Sequence, residues 1–407
     1  MIEKRNAISM EQAREILRNQ ITHLPVEKIN IGKALNQVLQ EPIFAPFPAP
    51  YFRRSGYDGF AITETDDENY PITLRVVAEV PCGETYDKPL MPGETVRTMT
   101  GAKVPENASK IIMLEQSKET NNKKEITLIN TQKTSNITEV GAEFAQGDLL
   151  LDRGHILNAG SISLLASFGI NDVQVIKRPK VAILSTGSEL VSVGNSLPDG
   201  KIYNSNQPLL ENLLQIHHAE IHAAEQLPDN YLETKKRLME LTETADLIIT
   251  TGGVSVGDFD FMADIAKDEA ELLFNKIQMR PGSPTTGMWL NNTLIIALSG
   301  NPGACFTGFY LLVEPVLATL MGKDQTATKQ VQAKMATDYT KNNGYDRFLR
   351  GTYQLSETGE FLVEPVGSDM SSALGNLHLT TCLLKIPRGK VGKFTGEEVE
   401  AWLLSSK

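Results

Sequence analysis

Three stretches of the chain end an apolar run in a hydroxyl residue followed by glycine. AILSTGSEL leads into Ser185, Thr186 and Gly187. LIITTGGVSVGD leads into Thr251, Gly252, Gly253, Ser255 and Gly257, and LIIALSGNPG into Ser299, Gly300, Asn301 and Pro302. Glycines let backbone N–H groups approach an anion, and a helix N-terminus beyond them favours its charge. One such turn serves tight geometry equally well. Three alike point to an anion site of the phosphate kind. Neither the GxxxxGK[ST] phosphate loop nor the GxGxxG dinucleotide signature is present.

The same loops carry acids. Glu189, Asp258 and Asp260 follow the turns, and Asp229 sits in LPDN on a connector that reaches the same end. Carboxylates repel a phosphate unless a divalent cation bridges them, and Mg²⁺ is the usual choice. Each acid alone also suits a helix N-terminus. Lys276 and Arg280 flank the run KIQMRPGSP and could neutralise an oxyanion, although solvation is the commoner fate of such side chains.

Other candidates are weaker from the residues alone. RRSGYDGFAI offers Asp58, RTMTGAKVP offers Thr100, and the C-terminal region offers Arg347, Arg350 and Ser368 of GSDMSS. Each reads first as a turn or a surface charge. His218 and His222 have the i, i+4 spacing that binds metal from a helix face, but no third ligand lies near them. HHAEIH reads as the closing turn of a helix.

These residues need elements to hold them. Continuous apolar strands at KVAILST, DLIITT and NTLIIAL alternate with helices at NQPLLENLLQIHHA, ETKKRLMELTETA and ACFTGFYLLVEPVLATL. That alternation predicts a parallel sheet covered on both faces, with its ligand beyond the carboxyl ends of the strands. In the helix after Asn206, residues Leu209, Leu210, Leu213, Leu214 and Ile216 form the apolar side. Ser9 and Gln12 predict a capping box that opens the first helix, whose apolar face is Ala13, Ile16 and Leu17. Prolines 42, 46, 48 and 50 make a stiff connector. Residues 51–140 are β-rich and turn-rich, and Arg178-Pro179 marks a second boundary. Short alternating runs after residue 325 predict a small all-β domain.

At 407 residues the chain is long enough for two to four domains. A net charge of −11 argues against a general nucleic-acid binder. Three scattered cysteines without a CxxC suit a reducing cytosol. The start MIEKRNAISMEQAREIL lacks a signal-type core, and FTGFYLLVEPVLATL is cut by Glu314 and Pro315. The expectation is a cytoplasmic protein without a membrane span.

In this order, SGYDGFAI, TGAKVP, ITEVGAEFAQGD, STGSEL, TTGGVSVGDFDF, MRPGSP, LSGNPG and GSDMSS resemble the molybdopterin molybdenumtransferase family over nearly the whole chain. The C-terminal domain of gephyrin is a relative. The resemblance implies a multidomain α/β protein in four parts. These are an N-terminal linker domain (1–45 with 141–178), an inserted β-rich lobe (46–140), a three-layer α/β/α molybdopterin-binding domain with a parallel sheet (179–325) and a small C-terminal β-barrel (326–407). It implies a homodimer that inserts molybdenum from molybdate into adenylylated molybdopterin and releases AMP with Mg²⁺. It also implies a transient contact with the molybdopterin adenylyltransferase.

Matched by motif, Asp58, Thr100, Glu189, Asp229, Asp258 and Asp260 would be catalytic, with Glu189, Asp229 and Asp260 on the metal. Lys276, Arg280, Pro302, Arg350 and Ser368 would join the glycine turns in binding the cofactor. The chain departs from the family in places. Glu143 stands for an aspartate, Ser283 for a lysine, Arg280 where lysine is common, and Ser299 for the first proline of PGNP. A scaffold protein on the same fold, or a CinA-like nucleotide enzyme sharing only the central domain, would use the same turns. The retained acids speak against the first, and the DGFA and TGA elements against the second.

Overall fold

A computed structural model describes residues 6–120, 123–253, 262, 264–265, 269–389 and 391–404. The chain divides into two compact units. One comprises Met1–Gln40, Ile156–Asn158 and Asp172–Lys407; the other comprises Glu41–His155 and Ala159–Asn171.

The larger unit holds a six-stranded sheet in the order Glu220–Leu227, Lys180–Thr186, Leu247–Thr251, Thr293–Leu298, Thr286–Leu290, Glu271–Phe274. The first four strands are parallel. Thr286–Leu290 pairs antiparallel with both its neighbours, so one reversed strand is added to the expected parallel sheet. The cause is local. Leu290 pairs with Thr293, and Asn291 and Asn292 between them have φ of 48° and 65°. Two consecutive left-handed residues make the tight turn that a hairpin twist requires, and asparagine tolerates that conformation.

Alternate residues of the parallel strands serve opposite cores. Val181, Ile183, Ile249, Ile296 and Leu298 share one cluster with Leu210, Phe306, Phe309 and Leu317. Ala182, Leu184, Ile248 and Ile295 share the other with Leu238 and Leu241. Burying each large aliphatic side chain contributes about 1.5–3 kcal/mol. Helix Asn206–Ile216 buries Leu210, Leu213 and Leu214, but Ile216 at its end is exposed. That helix stops before the histidines. His218 has φ of 61° and its Nε2 meets the Asn36 amide at 2.8 Å; His222 lies in the strand Glu220–Leu227, with Nε2 2.8 Å from Thr244 Oγ1. The i, i+4 spacing therefore never shares a helix face.

Helix Met10–Gln20 carries the expected capping box, with Ser9 Oγ accepting from the Gln12 N–H at 3.1 Å and Gln12 Oε1 from the Ser9 N–H at 2.9 Å. The long helix Pro302–Leu320 is apolar and long enough to cross a membrane by length and composition, and 89% of its apolar window is buried inside the fold. Glu314 and Pro315 do not break it. Pro315 has no N–H for the Leu311 carbonyl, and the helix passes that point through a π turn at Phe309–Val313. Arg14 Nε donates to the Leu311 oxygen instead, at 2.5 Å.

Beyond this helix, Lys329–Met335, Asp346–Leu355, Phe361–Pro365, Cys382–Ile386 and Glu398–Leu403 close on themselves as a five-stranded barrel. The short strand Met279–Arg280 joins it, pairing with Asp346 and Arg347.

The smaller unit is built on a second six-stranded sheet, ordered Lys110–Met113, Gly59–Ile62, Glu94–Thr98, Ile72–Val80, Glu125–Leu128, Ser117–Glu119. Gly59 is required where it stands, since a Cβ there would lie 2.2 Å from the Ile112 carbonyl oxygen.

Candidate functional site

In the larger unit the three hydroxyl-glycine turns meet at the carboxyl ends of adjacent strands. Gly252 has φ of 93°, and a Cβ on it would lie 2.1 Å from the Thr186 carbonyl oxygen. Gly253, at φ of 66°, would bring a Cβ to 3.0 Å from Thr186 Oγ1, and Gly300 would bring one to 3.4 Å from the Gly252 Cα. Bare backbone is required at Gly252 and strongly favoured at Gly253, whereas at Gly300 a Cβ would make an ordinary contact. Asn206 ties it together: its Nδ2 donates to Thr251 Oγ1 and to the Gly300 oxygen, both at 2.8 Å. Thr251 Oγ1 passes a bond to the Ser299 oxygen at 3.4 Å, and the Asn301 N–H reaches Ser299 Oγ at 3.3 Å.

The sequence reading passed over Asn206, because asparagine at a helix start is an ordinary capping residue. It does not cap. Ser205 makes no side-chain bond to helix Asn206–Ile216, but Asn204 Oδ1 takes the Gln207 N–H at 3.2 Å, and Pro208 has no N–H to offer. Helix Pro302–Leu320 begins without a side-chain cap, though its Ala304 N–H already reaches the Asn301 oxygen at 3.0 Å and the Ser371 oxygen at 3.2 Å. Ser185 Oγ, Thr186 Oγ1 and Asn206 Oδ1 are buried without a partner among the described residues. Such atoms mark a place where a bound molecule can complete the bonding.

Two of the acids join this end of the sheet. Asp229 Oδ2 accepts the Ser188 N–H at 2.8 Å, which places the LPDN connector against the turn after Thr186. Glu189 is the next residue and is exposed. Lys201, also overlooked, donates from Nζ to the Ser188 carbonyl at 2.7 Å and adds a cation to the same turn. Ser255, Gly257, Asp258 and Asp260 lie outside the described residues. Among those described, no three His, Cys, Asp or Glu side chains converge as a metal site.

Asp58 and Thr100 belong to the smaller unit, where they form one construction. Asp58 Oδ1 accepts from the Thr100 N–H at 2.6 Å and from its hydroxyl at 2.7 Å. The backbone bond above all, then the hydroxyl bond, holds this exposed carboxyl below its ordinary range. Glu143 is exposed in the same unit, its N–H on the Ala49 oxygen at 3.0 Å.

Residues 8–169 match the model of the MoeA N-terminal region (domain I and II), residues 182–319 that of a probable molybdopterin binding domain, and residues 332–404 that of the MoeA C-terminal region (domain IV). The chain is 37% identical over its full length, and over 98% of the relative, to a molybdopterin molybdenumtransferase of Staphylococcus aureus. It is 34% identical to one of Staphylococcus epidermidis, covering 100% of this chain and 97% of the other. It belongs to the molybdopterin molybdenumtransferase family. The crystal structure of the molybdopterin biosynthesis MoeA protein from Pyrococcus horikoshii is similar in fold, with a TM-score of 0.80 at 27% identity, covering 98% of this chain and 99% of that one.

As a member of this family of enzymes, the chain places its remaining candidates unevenly. Arg280 is exposed, with its guanidinium 5.9 Å from the Tyr345 ring centre, and Lys276 is half-buried. Ser283 donates its hydroxyl to the Ile277 oxygen at 2.8 Å. Ser368 is exposed, whereas Arg350 is buried and turned to protein carbonyls.

Proposed function

We propose that the chain inserts molybdenum from molybdate into adenylylated molybdopterin and releases AMP, as a cytoplasmic homodimer that uses Mg²⁺ and receives its substrate by transient contact with the molybdopterin adenylyltransferase. The observation that carries the reading is the convergence of three glycine turns, the buried unpartnered oxygens of Ser185, Thr186 and Asn206, and two acids at one end of the sheet, in a chain of this family. The bare turns at Gly252, Gly253 and Gly300 admit a phosphate-bearing ligand close to backbone N–H groups. Asn206 holds two of the turns at a fixed spacing, and Lys201 steadies the third. Arg280 supplies positive charge for an oxyanion, and Ser368 a hydroxyl.

The acids fit a hard cation, since Asp229 and Glu189 bring carboxylate oxygens to one turn. Both would hold Mg²⁺ together with Asp260, and the ion would offset phosphate charge and draw electron density from the bond to be broken. Asp58 stays ionised through its Thr100 bonds and serves as a fixed negative charge or proton acceptor in the smaller unit.

The test is single-turnover AMP release after addition of adenylylated molybdopterin, Mg²⁺ and molybdate. Glu189→Gln and Asp260→Asn should each slow release by about 100-fold while circular dichroism stays unchanged. Release at the wild-type rate in either variant, or in excess chelator, would refute the assigned roles. Light scattering at micromolar protein should give the mass of a dimer.

A further inference from the structure

We propose that Ser55 is a positioning residue, which joins the turn carrying Asp58 to the turn carrying Thr100 and so holds the second carboxylate oxygen of Asp58 ready for the reacting ligand. The proposal rests on the reaction given above and names the residue that builds its fixed carboxylate.

Ser55 lies three residues before Asp58 and is 1% exposed. Its backbone serves one turn and its side chain the other. The Ser55 N–H donates to the Ala102 oxygen at 2.9 Å, and the Ser55 oxygen accepts the Gly101 N–H at 2.8 Å. These two bonds bracket the turn at Thr100-Gly101, where Gly101 has φ of 84°. The Ser55 hydroxyl donates to the Tyr57 oxygen at 2.5 Å and accepts from Thr98 Oγ1 at 3.4 Å. Tyr57 immediately precedes Asp58, so that bond fixes the peptide from which the carboxylate springs. An alanine would keep both backbone bonds and lose the one to Tyr57.

The neighbours of Asp58 complete the hold. The Leu114 N–H donates to the Asp58 backbone oxygen at 3.1 Å, and Gly59 beyond it packs against the Ile112 carbonyl. Cys82, just past strand Ile72–Val80, donates from Sγ to the Thr100 oxygen at 2.9 Å. Thr100 gives both its N–H and its hydroxyl to Asp58 Oδ1, at 2.6 and 2.7 Å. Oδ2 of this exposed residue has no partner among the described residues. Arg97, on strand Glu94–Thr98, is the charged side chain that acts on the carboxylate, and Glu79 on the adjacent strand lies 3.6 Å from its Nη1. A carboxylate with one oxygen anchored presents the other in a fixed direction, as a proton acceptor requires.

The experiment compares wild type with Ser55→Ala and Ser55→Cys. It follows the Asp58 titration by carbon NMR and measures kcat and KM for AMP release across pH. Ser55→Ala should move the Asp58 titration up towards the ordinary carboxylate range and lower kcat about 10-fold, with both KM values within about twofold of wild type. The acid limb of kcat should move up with the titration. Cysteine is similar in shape but a weak donor, so Ser55→Cys should fall between the two. Ser55→Ala combined with Thr100→Val should shift Asp58 by less than the two single shifts added together, because both act on the same oxygen. An unmoved Asp58 titration in either single variant at residue 55, or additive shifts in the double variant, would overturn the proposal. So would a loss of rate that follows melting temperature without any shift. If wild type releases no AMP with molybdate, the proposed reaction fails, and the titration alone decides whether Ser55 builds the pair.

Discussion

A methyl group on Gly252 would collide with the Thr186 carbonyl and would force a left-handed residue to carry a side chain. Gly252→Ala should therefore destabilise the protein by at least about 1–3 kcal/mol, read from its urea midpoint. A midpoint equal to wild type would mean the turns are not as close as described. Asp58 makes a different test. Its depressed carboxyl contributes stability that is present above the unfolded-state value and lost as pH falls through the folded one. Thr100→Val removes the hydroxyl bond but keeps the backbone one, so the Asp58 titration followed by carbon NMR should move up towards the ordinary carboxylate range. No movement would sever the pair. The turns and acids were legible in the sequence because glycine, hydroxyl and carboxylate recur in a pattern. Asn206 and Lys201 were not legible, because one polar side chain gains its role only from partners far along the chain. Arg350 was legible as a charge, but its burial was not.

The long helix shows where element-level reasoning from sequence succeeds and where it stops. The apolar run ACFTGFYLLVEPVLATL predicts a helix, and a helix forms, with a π turn at Phe309–Val313 just before Pro315 that the run does not announce. Arg14 gives the Leu311 carbonyl the donor that Pro315 lacks. Arg14→Met should leave the Leu311 carbonyl unsatisfied and lower stability by about 1–3 kcal/mol in urea denaturation. An unchanged midpoint would show that solvent replaces the guanidinium without loss. Likewise Lys180–Thr186, Leu247–Thr251 and Thr293–Leu298 were legible as apolar runs, but Glu220–Leu227, Glu271–Phe274 and Thr286–Leu290 were not, and the direction of the last hangs on Asn291-Asn292.

Across the whole molecule, two units with separate cores should not melt as one, and calorimetry should resolve more than one transition. Thiols report on this. Cys82 is exposed in the smaller unit, while burial pushes the Cys305 and Cys382 thiols of the larger unit up to about 12. A thiol reagent at pH 8 should label Cys82 alone in the native protein and the other two only once the larger unit opens. Labelling of Cys305 in folded protein would contradict its burial. The discontinuity of the units also bears on how a ribosome delivers them. Residues 41–171 contain nearly everything the smaller unit needs, but Val26–Asn30 must wait for Asp172–Ile176, and the apolar face of Met10, Ala13 and Leu17 for the helix Pro302–Leu320. At about 5–20 residues per second that second wait is roughly 15–60 s. Helix Met10–Gln20 is therefore made long before the surface that covers its apolar face, and a nascent chain must keep that face from other contacts while the smaller unit folds.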